Sequence, residues 1–118
     1  MAAKDEVGRY GERVAVEYLL DQGMSLLDRN WRCSAGEIDA ILRDGTVLVF
    51  VEVKTRRGTA YGTPAEAVGR AKRSRLRRLA ALWLAQSGLH SPEVRFDLVS
   101  VVPRRAGPAA VEHLRAAF

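Results

Sequence analysis

Cysteine is almost missing from the sequence, since Cys33 is the only one among 118 residues. A lone cysteine excludes an internal disulfide and a zinc site built from several cysteines, which is typical of a reducing compartment, and we expect the protein to be cytoplasmic. Long apolar runs are missing too, because no segment approaches the roughly 20 apolar residues of a membrane-spanning helix. The N-terminal residues 1–6 are charged within the first four positions and do not resemble a signal peptide. We therefore expect no membrane association.

The length and composition indicate one globular domain. A chain of 118 residues can enclose a single apolar core but is too short for two. Its 47% hydrophobic and 28% charged residues are ordinary values for a soluble protein. We therefore treat residues 1–118 as a single domain.

The positive charge is concentrated in one segment. Lysine and arginine number 19 against 14 acidic residues, a net charge of +5. The segment 70–78 alone contains six of these cations and no acid, which is more than the whole surplus: Arg70, Lys72, Arg73, Arg75, Arg77 and Arg78. A local basic patch is an unspecific indication of a polyanionic partner.

The apolar periodicity and the turn residues predict an α/β fold. Residues 5–22 have the three- and four-residue spacing of an amphipathic helix, and a second helix should begin at a Thr-Pro-Ala-Glu capping sequence and run over 63–85. Strands are expected at 25–33, 37–43, 46–56 and 94–102, whereas 109–118 fits either a strand or a helix. This order suggests a sandwich in which helices flank a mixed central β-sheet.

The strands 37–43 and 46–56 should form a hairpin, because Asp44-Gly45 readily adopts the positive φ values of a tight turn. With these two residues in the turn, Glu37 lies opposite Glu52. Side chains alternate across a strand. One face should therefore present Glu37, Asp39, Glu52 and Lys54, and the other should present Ile38, Ala40, Leu42, Val47, Val49, Val51 and Val53.

The charged face is compatible with metal chemistry. Three neighbouring carboxylates repel one another, and a Mg²⁺ or Mn²⁺ ion bound to one or two of them would offset that cost. Such an ion polarises a phosphodiester and activates water, while Lys54 can stabilise the charge of the transition state. The alternative is a sheet with one solvated face, on which Lys54 pairs with a neighbouring acid. The apolar run 48–51 indicates a central strand, and the charges at the end of such a strand should lie in a cleft or under a helix.

Two motifs carry a resemblance to a known family. Gly36–Asp39 followed by Val49–Lys54 resembles the core motif of the PD-(D/E)XK nuclease superfamily, with Ile38 in place of the leading proline. The whole chain resembles the YraN-like family of small bacterial proteins, whose fold is related to Holliday junction resolvases and restriction endonucleases. The marks of this resemblance are Gly11-Glu12, Asn30, Arg32, Gly36–Asp39, Phe50–Lys54, Gly62, Lys72, Arg95–Asp97 and Ala117-Phe118.

The resemblance implies a restriction endonuclease-like sandwich and a catalytic set. Asp39 and Glu52 would be the metal ligands, Lys54 the catalytic lysine and Glu12 an additional acid near the metal. The implied activity is a Mg²⁺-dependent DNA endonuclease, acting on branched or flap DNA in recombination or repair. By analogy with resolvases it would form a homodimer, and no small-molecule cofactor is expected.

Basic residues near this set are candidates for DNA binding. Lys72 lies within the apolar stripe of the second helix, where it reaches either water or a phosphate. Arg56 and Arg57 follow the catalytic strand, and Arg73 lies on the second helix. A non-catalytic nucleic-acid-binding module with the same fold is the second interpretation of the sequence. An RNA substrate is the third.

Overall fold

A computed structural model describes residues 6–56, 69–91 and 93–118. The elements within these ranges are α1 (Glu6–Asp21), β1 (Ser25–Cys33), β2 (Gly36–Asp44), β3 (Val47–Thr55), α2 (Arg70–Ser87), β4 (Glu93–Val102) and β5 (Ala110–Leu114). The last of them shows that the tail, for which the sequence allowed two structures, contains a strand. Neither helix in the described ranges has the length and apolar character required of a membrane span.

The strands form one mixed sheet in the order β1-β2-β3-β4-β5. Strands β3 and β4 are parallel, and the other neighbours are antiparallel. A parallel pair needs a long connection, which here includes α2. The predicted α/β sandwich with a mixed sheet is confirmed and is consistent with a restriction endonuclease-like fold.

The two helices cover opposite faces of this sheet. On β3, Leu48 and Phe50 belong to the apolar cluster around α2, whereas Val49 and Val51 belong to the cluster around α1. All four side chains are fully buried. As the side chains of a strand alternate between faces, this division places one helix on each side. The central strand β3 is therefore enclosed over its first half, and only its second half can carry polar groups into a cleft.

The hairpin register differs from the prediction by two residues. Asp44 pairs with Val47, so that the turn is formed by Gly45, with φ of 62°, and Thr46. Asp44 remains in the strand, and its Oδ2 accepts a hydrogen bond of 3.1 Å from Nη2 of Arg95 on β4. A shift by an even number of residues does not by itself move a side chain to the other face. It does, however, remove the predicted pairing between Glu37 and Glu52.

The predicted face of Ile38 is wrong. We expected it beside Ala40, but Ile38 packs in the α2 cluster and Ala40 in the α1 cluster. The last β2–β3 pair is Ala40 with Val51, whereas β2 stays paired with β1 as far as Gly36. The alternation is broken at Asp39, where β2 separates from β3.

The prediction of one continuous helix over 63–85 is wrong at Gly69, which is extended with φ of −119° and ψ of 163°. The capping sequence at Thr63 lies outside the described residues. Helix α2 begins at Arg70 and ends at Ser87, where Gly88 has a left-handed conformation with φ of 72°. Glycine is less favourable in a helix interior than alanine by about 1 kcal/mol, which makes Gly69 a natural boundary.

A buried polar network joins β4 to the C-terminal segment. Asp97 is completely buried, and Arg95 binds both of its carboxylate oxygens, at 2.9 and 3.0 Å. Nε2 of His113 lies 2.7 Å from Oδ2, and the Ala116 amide donates to Oδ1 at 3.0 Å. Burial alone would raise the pKa of Asp97, but the hydrogen bonds with His113, Arg95 and the Ala116 amide outweigh it and lower the pKa. The network fixes the C-terminal segment just before Phe118, which is buried beneath α2.

The outer edge of the sheet is irregular. Strand β1 pairs only with β2 among the described strands, and Asn30 in its middle has a positive φ of 52°. The β1–β2 register also shifts between Leu26 and Asp28. Most side chains of β1 are exposed, including those of Arg29 and Arg32.

Candidate active site

A cleft of about 500 Å³ opens where β2 separates from β3. It is bounded by the first half of α1, the β1–β2 connection, the second half of β3 and the first turns of α2. The predicted catalytic residues Glu12, Asp39, Glu52 and Lys54 all line it, together with Glu37, Gly36, Arg75 and Leu76. The structure thus places the two acids and the lysine of the hairpin in one cleft.

Asp39 is held at the point where the β2–β3 ladder ends. Its Oδ2 accepts a hydrogen bond of 2.8 Å from the backbone N–H of Val53. The carboxylate takes the place of the backbone acceptor that a continued ladder would supply, because Ala40 and Val51 form the last pair. A hydrogen-bonded carboxylate oxygen still has a second lone pair. Asp39 is therefore fixed in position without losing its capacity as a metal ligand.

Glu52 has two oxygens in different environments. Oε1 lies 2.8 Å from Nζ of Lys72 on α2, in a pair whose side chains are only 17% and 21% exposed. Oε2 is buried and has no hydrogen-bonding partner within the described residues. A buried oxygen without a partner is energetically unfavourable. Oε2 is thus the atom of the cleft to which a cation would be most favourably added.

Lys54 follows Glu52 by two residues and points to the same side of β3. The backbone at both positions is fixed by the parallel pairing with β4, in which Glu52 lies opposite Leu98 and Lys54 opposite Ser100. The Lys54 side chain is exposed at the cleft. An exposed ammonium group in the same cleft as two carboxylates is suitably placed to meet an incoming phosphate.

Glu12 reaches the cleft from α1. It is 7% exposed, on a helix face that otherwise buries Gly11, Ala15, Val16 and Leu19. The resemblance implied an acid near the metal at this position, and the structure buries Glu12 at the wall of the cleft. Its neighbour Gly11 explains the close approach of α1 to β3, because a Cβ on Gly11 would overlap with the Thr55 hydroxyl oxygen and lie 2.8 Å from the Thr55 Cβ.

Replacing Gly11 with alanine should destabilise the protein by about 1–3 kcal/mol, as expected for overpacking. In an open helix the same change would stabilise by up to about 1 kcal/mol, so the sign of the effect is diagnostic. Urea unfolding of Gly11→Ala and of Gly11→Ala/Thr55→Ala measures it. The second substitution removes the nearest overlapping atom and should restore part of the loss. A more stable Gly11→Ala variant would show that α1 does not depend on this contact.

Glu37 does not lie in its predicted place, and the described candidates for DNA binding differ in their exposure. Glu37 forms an ion pair of 3.0 Å with Arg32 at the rim of the cleft, so its predicted place opposite Glu52 is wrong. Arg73 is exposed on α2, and Arg56 is half-buried after β3, its N–H donating to the Val101 carbonyl at 2.9 Å. Arg57 lies outside the described residues.

The sequence did not reveal two features of the cleft. The pairing of Lys72 with Glu52 joins residues that are far apart in the chain, and only the packing of α2 brings them together. The position of Lys72 in an apolar stripe was the available signal. Arg75 was part of the basic segment, but nothing in the sequence marked it as a residue of the cleft.

The donor set of the cleft suits one metal type better than others. Within 6–56, 69–91 and 93–118, no three His, Cys, Asp or Glu side chains lie close enough to hold a metal by themselves. Two carboxylates are enough for Mg²⁺, which usually keeps several waters and takes further oxygens from a phosphate. The residues present, Asp39 and Glu52 with its buried Oε2, therefore fit Mg²⁺ or Mn²⁺ and do not fit a structural zinc ion.

Known proteins are similar to this chain over its whole length. Residues 11–101 match the model described as uncharacterised protein family UPF0102. A UPF0102 protein of Beutenbergia cavernae is 58% identical over 115 residues, which cover 98% of both chains. A UPF0102 protein of Frankia alni is 56% identical over 118 residues, covering 100% of this chain and 98% of the relative. One of Rhodococcus opacus is 49% identical over 118 residues, covering all of both chains.

Proposed function

The chain belongs to the UPF0102 family, and we propose that it is a divalent-metal-dependent endonuclease that hydrolyses DNA phosphodiester bonds. One observation carries the proposal: Asp39, Glu52 and Lys54 line a single cleft at the point where β2 and β3 separate. This is the acid, acid and lysine arrangement that the resemblance to PD-(D/E)XK nucleases implies. The YraN-like resemblance of the sequence agrees with the family membership.

Each polar residue of the cleft has a separate role in the proposed reaction. Asp39 and Glu52 would hold the ion, which polarises the phosphoryl group and lowers the pKa of water when bound. Lys54 approaches the phosphate from the exposed side of the cleft and stabilises negative charge that develops on its oxygens. Glu12 adds a buried carboxylate on the α1 side, and a fixed hydrogen bond from Val53 N–H holds Asp39 in place.

DNA as the substrate is supported by the charge around the cleft. Helix α2 carries the exposed cations Arg70, Arg73, Arg75 and Arg78, of which Arg75 lines the cleft. Arginines bind phosphates without reading the base sequence, and this contribution weakens with salt. We propose branched or flap DNA as the preferred form and a homodimer as the active species, by analogy with resolvases.

The second candidate function is a non-catalytic nucleic-acid-binding module. The Lys72–Glu52 ion pair favours it, because an ammonium group already neutralises the acid that a metal would need. The basic face of α2 would serve both functions equally. The two candidates differ in whether Mn²⁺ binds at Asp39 and Glu52 and in whether DNA is cut.

The test is a cleavage screen over linear, flap and four-way-junction DNA with Mg²⁺ or Mn²⁺. We expect the wild type to cut at least one of these substrates, and Lys54→Ala to cut it about 100-fold more slowly, the usual cost of losing one group that stabilises transition-state charge. The matched control is Arg104→Ala, which removes an exposed cation after β4 and should retain full activity. Equal cleavage by Lys54→Ala and wild type would assign the activity to another site or to a contaminant.

A further inference from the structure

Lys72 is placed unusually for a lysine of a basic helix. It lies one turn before Leu76 on the buried face of α2, and its side chain is only 21% exposed. Lysines at such positions normally extend the charged end to water. Here Nζ instead lies 2.8 Å from Oε1 of Glu52, inside the cleft.

This ion pair involves only Oε1 of Glu52, the proposed metal ligand, and leaves Oε2 without a partner. Oε2 of Glu52 is buried without a hydrogen-bonding partner in the described part of the chain. An ion bound at Oε2 would stand a few ångströms from the Lys72 ammonium group, since both oxygens belong to one carboxylate. Two positive charges at such a distance repel one another strongly in a partly buried site.

A phosphate group would relieve this repulsion. The lysine side chain is flexible, carries three donors and pairs readily with phosphate oxygens as a point charge. Lys72 lies less than one turn of α2 from Arg75, which lines the cleft. A phosphate entering between these cations and the acids offers Lys72 an alternative partner, and Glu52 then regains Oε1.

We infer that Lys72 is a positioning residue that competes with the divalent cation for Glu52, and that a substrate phosphate removes this competition by taking Lys72 as its partner. This inference rests on the proposed function. It makes the binding of cation and phosphate mutually dependent: each raises the affinity for the other by the same factor. The protein would bind the cation weakly by itself and firmly only together with DNA.

Mn²⁺ binding, measured by isothermal titration calorimetry, tests the inference without relying on activity. Dimethyl phosphate serves as a phosphodiester probe. In the wild type, Kd for Mn²⁺ should fall several-fold when the probe is added. Lys72→Met, which keeps the side-chain length and removes the charge, should bind Mn²⁺ about tenfold more tightly without the probe. Its Kd should respond to the probe less than that of the wild type, because only the direct contact between cation and phosphate remains.

Two further variants make the result specific. Arg43→Met removes the same charge from an exposed position of β2 beside the hairpin turn and should leave Kd and its response to the probe unchanged. Lys72→Gln keeps a hydrogen-bonding group and should also bind Mn²⁺ more tightly, which provides a second measurement if Lys72→Met unfolds.

The outcomes separate the inference from the proposed function. Wild-type binding of Mn²⁺ with equal or weaker binding by both Lys72 variants would overturn the inference alone, because Lys72 would then merely hold Glu52 in place. No Mn²⁺ binding by the wild type or by either Lys72 variant would overturn the proposed function as well.

Discussion

Asp39→Asn should abolish DNA cleavage, by about a thousandfold or more, while DNA affinity stays nearly unchanged or increases. The substitution removes a negative charge from the proposed metal site, and loss of a single electrostatic contact to a transition state already costs up to about a thousandfold. The amide oxygen of asparagine can still accept the hydrogen bond from the Val53 N–H. The fold should therefore be retained, and the loss would be chemical.

Single-turnover cleavage and a DNA-binding titration measure the two quantities separately. The matched control is Glu37→Gln, which makes the same acid-to-amide change at the rim of the cleft, where Glu37 is paired with Arg32. It should cut DNA nearly as fast as the wild type. Asp39→Asn with full activity would remove Asp39 from the mechanism, and a parallel loss in both variants would indicate a general electrostatic effect of the cleft.

Asp97→Asn should lower the free energy of unfolding by about 3–5 kcal/mol, the usual cost of removing one partner of a buried ion pair. Asp97 accepts hydrogen bonds from Arg95 and the Ala116 amide and contacts His113. An asparagine NH₂ group would face some of these donors, and the Arg95 charge would lose its partner. Glu17→Gln on the exposed side of α1 is the control and should change stability by less than about 0.5 kcal/mol.

The same variant should change how stability depends on pH. The pKa of Asp97 is lower in the folded protein than its ordinary value near 3.9. The stability that Asp97 contributes is therefore fully present above that ordinary value and is lost as the pH falls through the folded pKa. Urea unfolding between pH 7 and pH 3 should show a steeper loss below about pH 4 in the wild type than in Asp97→Asn. Parallel curves, or an Asp97→Asn loss below 1 kcal/mol at pH 7, would contradict this role of the network.

Local patterns were enough to predict most of the elements. Strand β1 has the predicted bounds. Within the described ranges, neither end of α1, β2, β3 or β4 differs from the prediction by more than one residue. Their apolar spacing and the turn glycines are local signals, which a sequence displays directly. The side-chain alternation predicted that Glu52 and Lys54 point to the same side of β3, and a register error of two residues did not disturb that prediction.

What the sequence could not predict depends on contacts between distant residues. Arg95 on β4 binds Asp44, which helps to hold Asp44 in the strand and so influences the hairpin register. The residues near the turn contain no signal that predicts this contact. The alternation of side chains is broken at Asp39 because β2 stays paired with β1 beyond the point where its pairing with β3 ends. The Lys72–Glu52 pair requires α2 to lie across the end of β3. Each of these features belongs to the cleft or its support, where packing overrides local preference.

The irregular outer strand β1 has a consequence for the behaviour of the protein in concentrated solution. A straight strand at the border of a sheet exposes a row of amide and carbonyl groups on which another molecule can grow an additional strand. The left-handed residue Asn30 and the register shift after Leu26 interrupt that row, and the exposed Arg29 adds repulsion between like charges. Copies of this protein should therefore not join edge to edge through β1 into a continuous sheet.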